Sequence, residues 1–144
     1  VGFLVSPNNY HEIETLASVY PDTEAIVDHF GHCVPSTDGT EVPEFEQLLA
    51  MSRYPQINVK LSEFPRASNQ EFHYVDMFGW VHRLIEAYSA DRLMWGTDFP
   101  FIVEQTGYSK GWEIADKIEP AMGPGLGDKI LGGTCERLFG TWGD

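Results

Sequence analysis

The chain predicts an α/β fold built on parallel strands, and three observations carry that expectation. Four short apolar runs, Phe3-Leu4-Val5, Ala25-Ile26-Val27, Ile57-Asn58-Val59-Lys60-Leu61 and Leu93-Met94-Trp95, are separated by segments with helical periodicity. Their starts fall 22, 32 and 36 residues apart, close to the ~30 residues that a strand, a crossover helix and two loops occupy. None of the runs alternates cleanly between apolar and polar residues, as expected of strands covered on both faces.

The elements follow in order. Ser6-Pro7-Asn8 ends the first strand, and Asn8 or Asn9 can cap a helix whose apolar positions are Ile13, Leu16, Ala17 and Tyr20. Pro21-Asp22 closes that unit, and the second strand runs into Asp28-His29-Phe30-Gly31-His32-Cys33. A loop holding Pro35, Ser36, Asp38 and Gly39 leads to a helix through Phe45, Leu48, Leu49 and Met51. The third strand opens into Ser62-Glu63-Phe64-Pro65-Arg66, read as loop. A longer helix is expected from about Phe72 to Tyr88, with Val75, Phe78, Val81, His82 and Ile85 available to pack. After the fourth strand come a loop, a helix from about Gly111 to Met122, and helical turns over Asp128–Leu131 and Glu136–Phe139.

The totals describe one domain, residues 1–144, with 42% apolar and 22% charged side chains, a globular composition. Acidic side chains outnumber basic ones 22 to 9, a formal charge of −13. Binding nucleic acid requires a basic surface that displaces counterions, and anionic membranes demand the same, so neither is an expected partner. Cys33 and Cys135 form no CxxC pattern, and free thiols in a reducing, cytoplasmic compartment are the default reading. The chain opens without Met, inside a strand, so an upstream part is expected.

Parallel strands deliver their carboxyl ends to one edge, where α/β folds place their chemistry. The residues sent there are Ser6 and Asn8, then His29 and His32, then Lys60, Ser62 and Glu63, and finally Asp98. A carboxylate and an imidazole meeting at that edge can ligate a metal or work as base and acid. Plainer roles stand beside each: a turn or cap for Asp98, a hydrogen-bonded core position for His29, a loop position for His32, surface or packing for His73 and His82. Lys60 is open between stabilising an oxyanion and pairing with Glu63 or Asp28. No second Cys/His cluster completes a structural zinc set with His29, His32 and Cys33.

Several segments together resemble the C-terminal half of an amidohydrolase-related TIM barrel, in its metal-dependent hydrolase and lactonase branch. They are Tyr20-Pro21-Asp22, Ile26-Val27-Asp28-His29-Phe30-Gly31, Asn58-Val59-Lys60-Leu61-Ser62, Arg92-Leu93-Met94-Trp95-Gly96-Thr97-Asp98-Phe99-Pro100, and the closing run from Lys129 to Gly140. The resemblance implies a (βα)4 half-barrel, with these four strands as barrel strands five to eight. It implies that Asp98 binds the metal or activates water and that His29 contacts substrate or polarises the scissile group. Beside them, Lys60, Arg66 and His32 are candidates for holding the substrate, Lys60 and Arg66 through its carboxylate.

The same resemblance implies a divalent metal, zinc first, and a small lactone, ester or amide as substrate; non-oxidative decarboxylases belong to the same superfamily. Three departures qualify it. The family's first-strand His-x-His pair is not in this chain, the strand-five histidine is not found between Val1 and Pro7, and Thr134 stands where the closing motif usually has Asn. Some relatives work without metal. An inert, truncated domain is the remaining reading. A half-barrel leaves unpaired edges and an uncovered inner face, so a homo-oligomer or pairing with a missing half-barrel is expected.

Overall fold

The computed structural model describes residues 1–37 and 41–141; the loop positions Asp38 and Gly39 lie outside them. Its strands are β1 (Gly2–Phe3), β2 (Ala25–Val27), β3 (Ile57–Leu61) and β4 (Leu93–Trp95), all parallel and in the order β1-β2-β3-β4. The helices are α1 (Tyr10–Val19), α2 (Pro43–Ala50), α3 (Phe64–Ala67), α4 (Phe78–Tyr88), α5 (Phe101–Gln105), α6 (Tyr108–Met122) and α7 (Thr134–Phe139), with a π-helical turn over Lys129–Gly133 before α7. This is α/β architecture with a crossover between each successive pair of strands, as the spacing predicts.

Register fixes the two faces of the sheet. Val27 pairs with Val59 and Val59 with Leu93, so one face carries Val27, Val59, Leu61, Leu93 and Trp95. That face packs on Ile13 and Ala17 of α1, Phe45 and Leu48 of α2, Val81, Leu84 and Tyr88 of α4, and Ile114 and Ile118 of α6, all in one buried cluster. The other face presents Ile26, Asn58, Lys60 and Met94. Asn58 is fully buried there and fully used: Nδ2 donates to Glu24 Oε2 at 2.7 Å and to the Ala25 and Gln56 carbonyls, while Oδ1 accepts from Arg137 of α7 at 2.6 Å. A buried amide with every partner in place ties α7 to the sheet.

Some boundaries differ from the sequence expectation, each for a physical reason. β1 stops at Phe3 because its partner runs out: the Asp28 N–H bonds the Phe3 carbonyl, and the chain then turns left-handed at His29, φ 54°. α3 forms where loop was expected, since Pro65 sits in the first helical turn, where a missing N–H costs nothing. α5 likewise follows Pro100. α4 starts six residues late because Tyr74 is left-handed, φ 60°, and Val75–Met77 is a 3-10 turn, leaving Val75 exposed. α6 begins at Tyr108, one residue after Gly107 at φ 88°. Leu16, expected to pack, is 44% exposed.

One buried cluster locks α1 to the loop after β2. Tyr10 Oη donates to the Gly31 carbonyl at 2.6 Å and lies 3.2 Å from Cys33 Sγ. Burial pushes the Tyr10 phenol well above its ordinary range and the Cys33 thiol up to about 11 from 9.0. Both cysteines are free thiols. A folded thiol that keeps its proton while the unfolded one loses it contributes stability that is complete below pH 9 and disappears as pH rises towards 11. The urea midpoint is therefore expected to fall over that window. Cys33→Ala should flatten the onset of the fall, below the pH at which tyrosines ionise; an unchanged pH profile in that variant would contradict the assignment.

Candidate functional site

The rim at the carboxyl ends of β2, β3 and β4 is built from residues in an unusual backbone conformation. His29, Phe30, His32, Glu63 and Asp98 all have φ between 51° and 65°, and none is glycine. Such left-handed residues cost about 1–3 kcal/mol each and persist where the surroundings over-determine them. Here they turn short strand ends sharply, so that side chains from three strands meet instead of fanning outward.

His29 is the centre. Its Nδ1 lies 2.8 Å from Ser62 Oγ, and its Nε2 lies 3.6 Å from Asp98 Oδ1. Both side chains of the His29–Asp98 pair are largely buried. Asp98 Oδ2 is buried with no hydrogen-bond partner among the described residues, a state that calls for a proton, a water or a cation. Gly96 makes room for the arrangement. A Cβ there would sit 3.2 Å from both Lys60 Cδ and Ser62 Cβ.

Beside this pair lies a second group. Glu63, almost fully buried, places Oε2 3.4 Å from His32 Nε2 and 4.0 Å from His29 Nδ1, while Oε1 accepts from Arg66 at 2.6 Å. His32 Nδ1 faces the Val5 carbonyl at 2.9 Å, which fixes the ring against the end of β1. A cavity of about 160 Å³ lies between His29, His32, Glu63 and Arg66. Lys60 pairs with Asp28, one of the two partners the sequence offers it. Ser6 and Asn8 line a separate cleft with His32 and Cys33. His82 is exposed on α4, and His73 precedes that helix, its ring tilted against Phe72.

Two donor sets bear on a metal. His29, His32 and Glu63 bring three ligand atoms within 4.8 Å of one another, but Ser62 already engages His29 Nδ1 and Arg66 already neutralises Glu63. The partnerless Oδ2 of Asp98 is the better fit, as one ligand of a divalent cation. Ser62 and Glu63 are the functional candidates to which sequence reading assigned no role. Their signal was their place two and three positions beyond Lys60, on the run that leaves β3.

The amidohydrolase family profile matches residues 3–141. The chain belongs to the amidohydrolase family. A 4-sulfomuconolactone hydrolase from Rhizobium radiobacter is 32% identical over 127 residues, 83% of this chain and 40% of that protein. A second 4-sulfomuconolactone hydrolase, from Hydrogenophaga intermedia, is 36% identical over 75 residues, 52% of this chain and 24% of that protein. Among solved structures, a zinc-bound amidohydrolase from Burkholderia multivorans superposes with a TM-score of 0.80 at 17% identity, covering 94% of this chain and 50% of that one. A Pseudomonas putida structure named as a 2-pyrone-4,6-dicarboxylic acid hydrolase gives a TM-score of 0.67 at 25% identity, covering 90% and 48%. The chain thus spans half or less of the length of these relatives. No helix among the described residues is long and apolar enough to cross a membrane.

The rim depends on the loop that starts at His29, and Gly31 is its tightest point. At φ 64°, with a Cβ that would fall 1.9 Å from Tyr10 Oη, Gly31 has neither conformational nor steric room for a side chain. Gly31→Ala should lower stability by roughly 2–4 kcal/mol, from left-handed strain and overpacking together. Gly79→Ala is the control: with nothing within 4 Å on α4, it should raise stability by about 0.5–1 kcal/mol. Chemical denaturation of both variants checks the pair.

Proposed function

We propose that this chain carries the strand-end half of the active site of a lactone hydrolase. The observation that carries the reading is the meeting of His29 Nε2 and Asp98 Oδ1, 3.6 Å apart, beside a carboxylate oxygen that has no partner. Lactone hydrolysis is the activity named for the sulfomuconolactone hydrolases, and a pyrone is a cyclic ester of the same kind.

In this reading Asp98 takes a proton from the attacking water. His29 donates a hydrogen bond to the carbonyl oxygen as negative charge develops on it, which is the stage at which a fixed donor accelerates acyl transfer. Arg66 stays half-exposed while its NH1 holds Glu63, so its other N–H groups serve an anionic substituent of the substrate. His32 lines the same cavity. Lys60, committed to Asp28, acts on the substrate only through its field. A divalent cation, zinc being the first candidate, would be held by Asp98 and would supply Lewis-acid activation of water.

The remaining ligands and the rest of the substrate pocket belong to the partner half in this proposal. Val1, Leu4, Leu16, Val19 and Tyr20 are exposed along the α1–β1 flank, around an apolar cleft of about 190 Å³. Further βα units completing a closed barrel would cover them. A cytoplasmic enzyme fits the two free thiols.

The test is turnover of a carboxylated or sulfonated lactone by the full-length protein, followed by acid release. Asp98→Asn should lower kcat by roughly 10²–10⁴ and His29→Ala by roughly 10²–10³, with thermal unfolding little changed. Undiminished hydrolysis by Asp98→Asn would refute the assignment, and CO2 release without ring opening would move the site to decarboxylation.

A further inference from the structure

Ser62 has no assigned role, yet it is the residue in hydrogen-bond contact with the central histidine. It stands fully buried at the end of β3. Successive side chains alternate across a strand, so Ser62 continues the face that carries Asn58 and Lys60. Among the described residues, the hydrogen bond of its hydroxyl is with His29 Nδ1 at 2.8 Å.

A hydroxyl can donate or accept, and the surroundings decide which. Were Nδ1 to carry the proton, Ser62 would accept it, and its own buried O–H would have no acceptor among the described residues. Nε2 would then turn a lone pair towards the Asp98 carboxylate at 3.6 Å, lone pair against negative charge. With Ser62 donating to Nδ1, both problems vanish: the hydroxyl is satisfied and Nε2–H points at an acceptor.

We propose that Ser62 is a positioning residue that donates its hydroxyl proton to Nδ1 of His29 and so holds the ring with its proton on Nε2, aimed at the Asp98 side of the rim. His32 differs: its Nδ1 faces the Val5 carbonyl, a pure acceptor, and its Nε2 faces the Glu63 carboxylate at 3.4 Å. Gly96 supports the device, because a side chain there would meet Ser62 Cβ at 3.2 Å and push the hydroxyl off its mark.

The inference rests on the catalytic reading only for its effect on rate, and the experiment separates the two. Long-range ¹H–¹⁵N correlation spectra of the full chain report which ring nitrogen is protonated, with no substrate present. His29 is expected as Nε2–H. In Ser62→Ala the His29 signals should move towards a mixture of tautomers, and Ser62→Thr, which keeps the hydroxyl, should restore the wild-type pattern. Ser62→Ala should also lower kcat on the lactone about tenfold with KM little changed. A wild-type His29 in the Nδ1–H form, or a Ser62→Ala spectrum identical to wild type, overturns the proposal. The expected spectra without any lactone turnover would sustain Ser62's role and refute the hydrolase reading instead.

Discussion

Because every strand runs the same way, the carboxyl ends of β2, β3 and β4 share one edge, and the register sets Asp28 beside Lys60 and Gly96 beside Ser62. Parallel pairing requires a crossover between successive strands, and the helices α1, α2 and α4 meet that need while covering one face with Ile13, Phe45, Leu48 and Val81. The opposite face is then free to carry polar residues. Asn58 lies deep in it with its partners supplied by Glu24 and Arg137, and Lys60 and Asp28 lie nearer the rim. The polarity of that face increases towards the chemistry.

Turning the strand ends inward consumes stability. Left-handed φ angles at His29, His32, Glu63 and Asp98 place strained backbone on the same residues that hold the titratable side chains. Natural folds tolerate such strain when rigid neighbours hold it, and the neighbours here are identifiable. Tyr10 grips Gly31, Phe30 and Phe64 meet edge to face with centroids 4.9 Å apart, and Phe64 leans on Trp95 at 5.2 Å. An aromatic layer directly beneath the rim links β2, β3 and β4 and carries the geometry of the three loops together.

The strands were legible because short apolar runs at crossover spacing have few other interpretations; Ile57–Leu61 and Leu93–Trp95 have the boundaries read from sequence. The His29–Asp98 meeting was legible for the same reason, since strand order and direction put both on one edge. What escaped were features set by tertiary context. Pro65 lies in the first turn of α3 and Pro100 directly precedes α5, and a proline there starts a helix as readily as it ends a strand. Ser62 looked like a generic strand end, because a hydroxyl gains a role only from the ring nitrogen opposite it. Glu63 carried no sequence signal of burial, and its environment exists only once His32, His29 and Arg66 converge.

Charge sets a final condition on what this rim can take. The chain carries −13, so the anionic lactone of the proposed function would approach this half of the site against its average field. That repulsion is screened beyond about 8–10 Å at physiological salt, leaving recognition to local groups. Lys60 and Arg66 are both held by carboxylates, Asp28 and Glu63, which cancels most of their attraction at a distance while keeping their donors in place. Arg66 is the more exposed of the two cations, and its planar fork can address a second carboxylate or sulfonate without releasing the first. A rim of this kind discriminates by hydrogen-bond geometry at contact and gains little from long-range steering, so in the proposed function substrate selection would fall to the fit between Arg66 and an anionic group and to the distance from that group to His29.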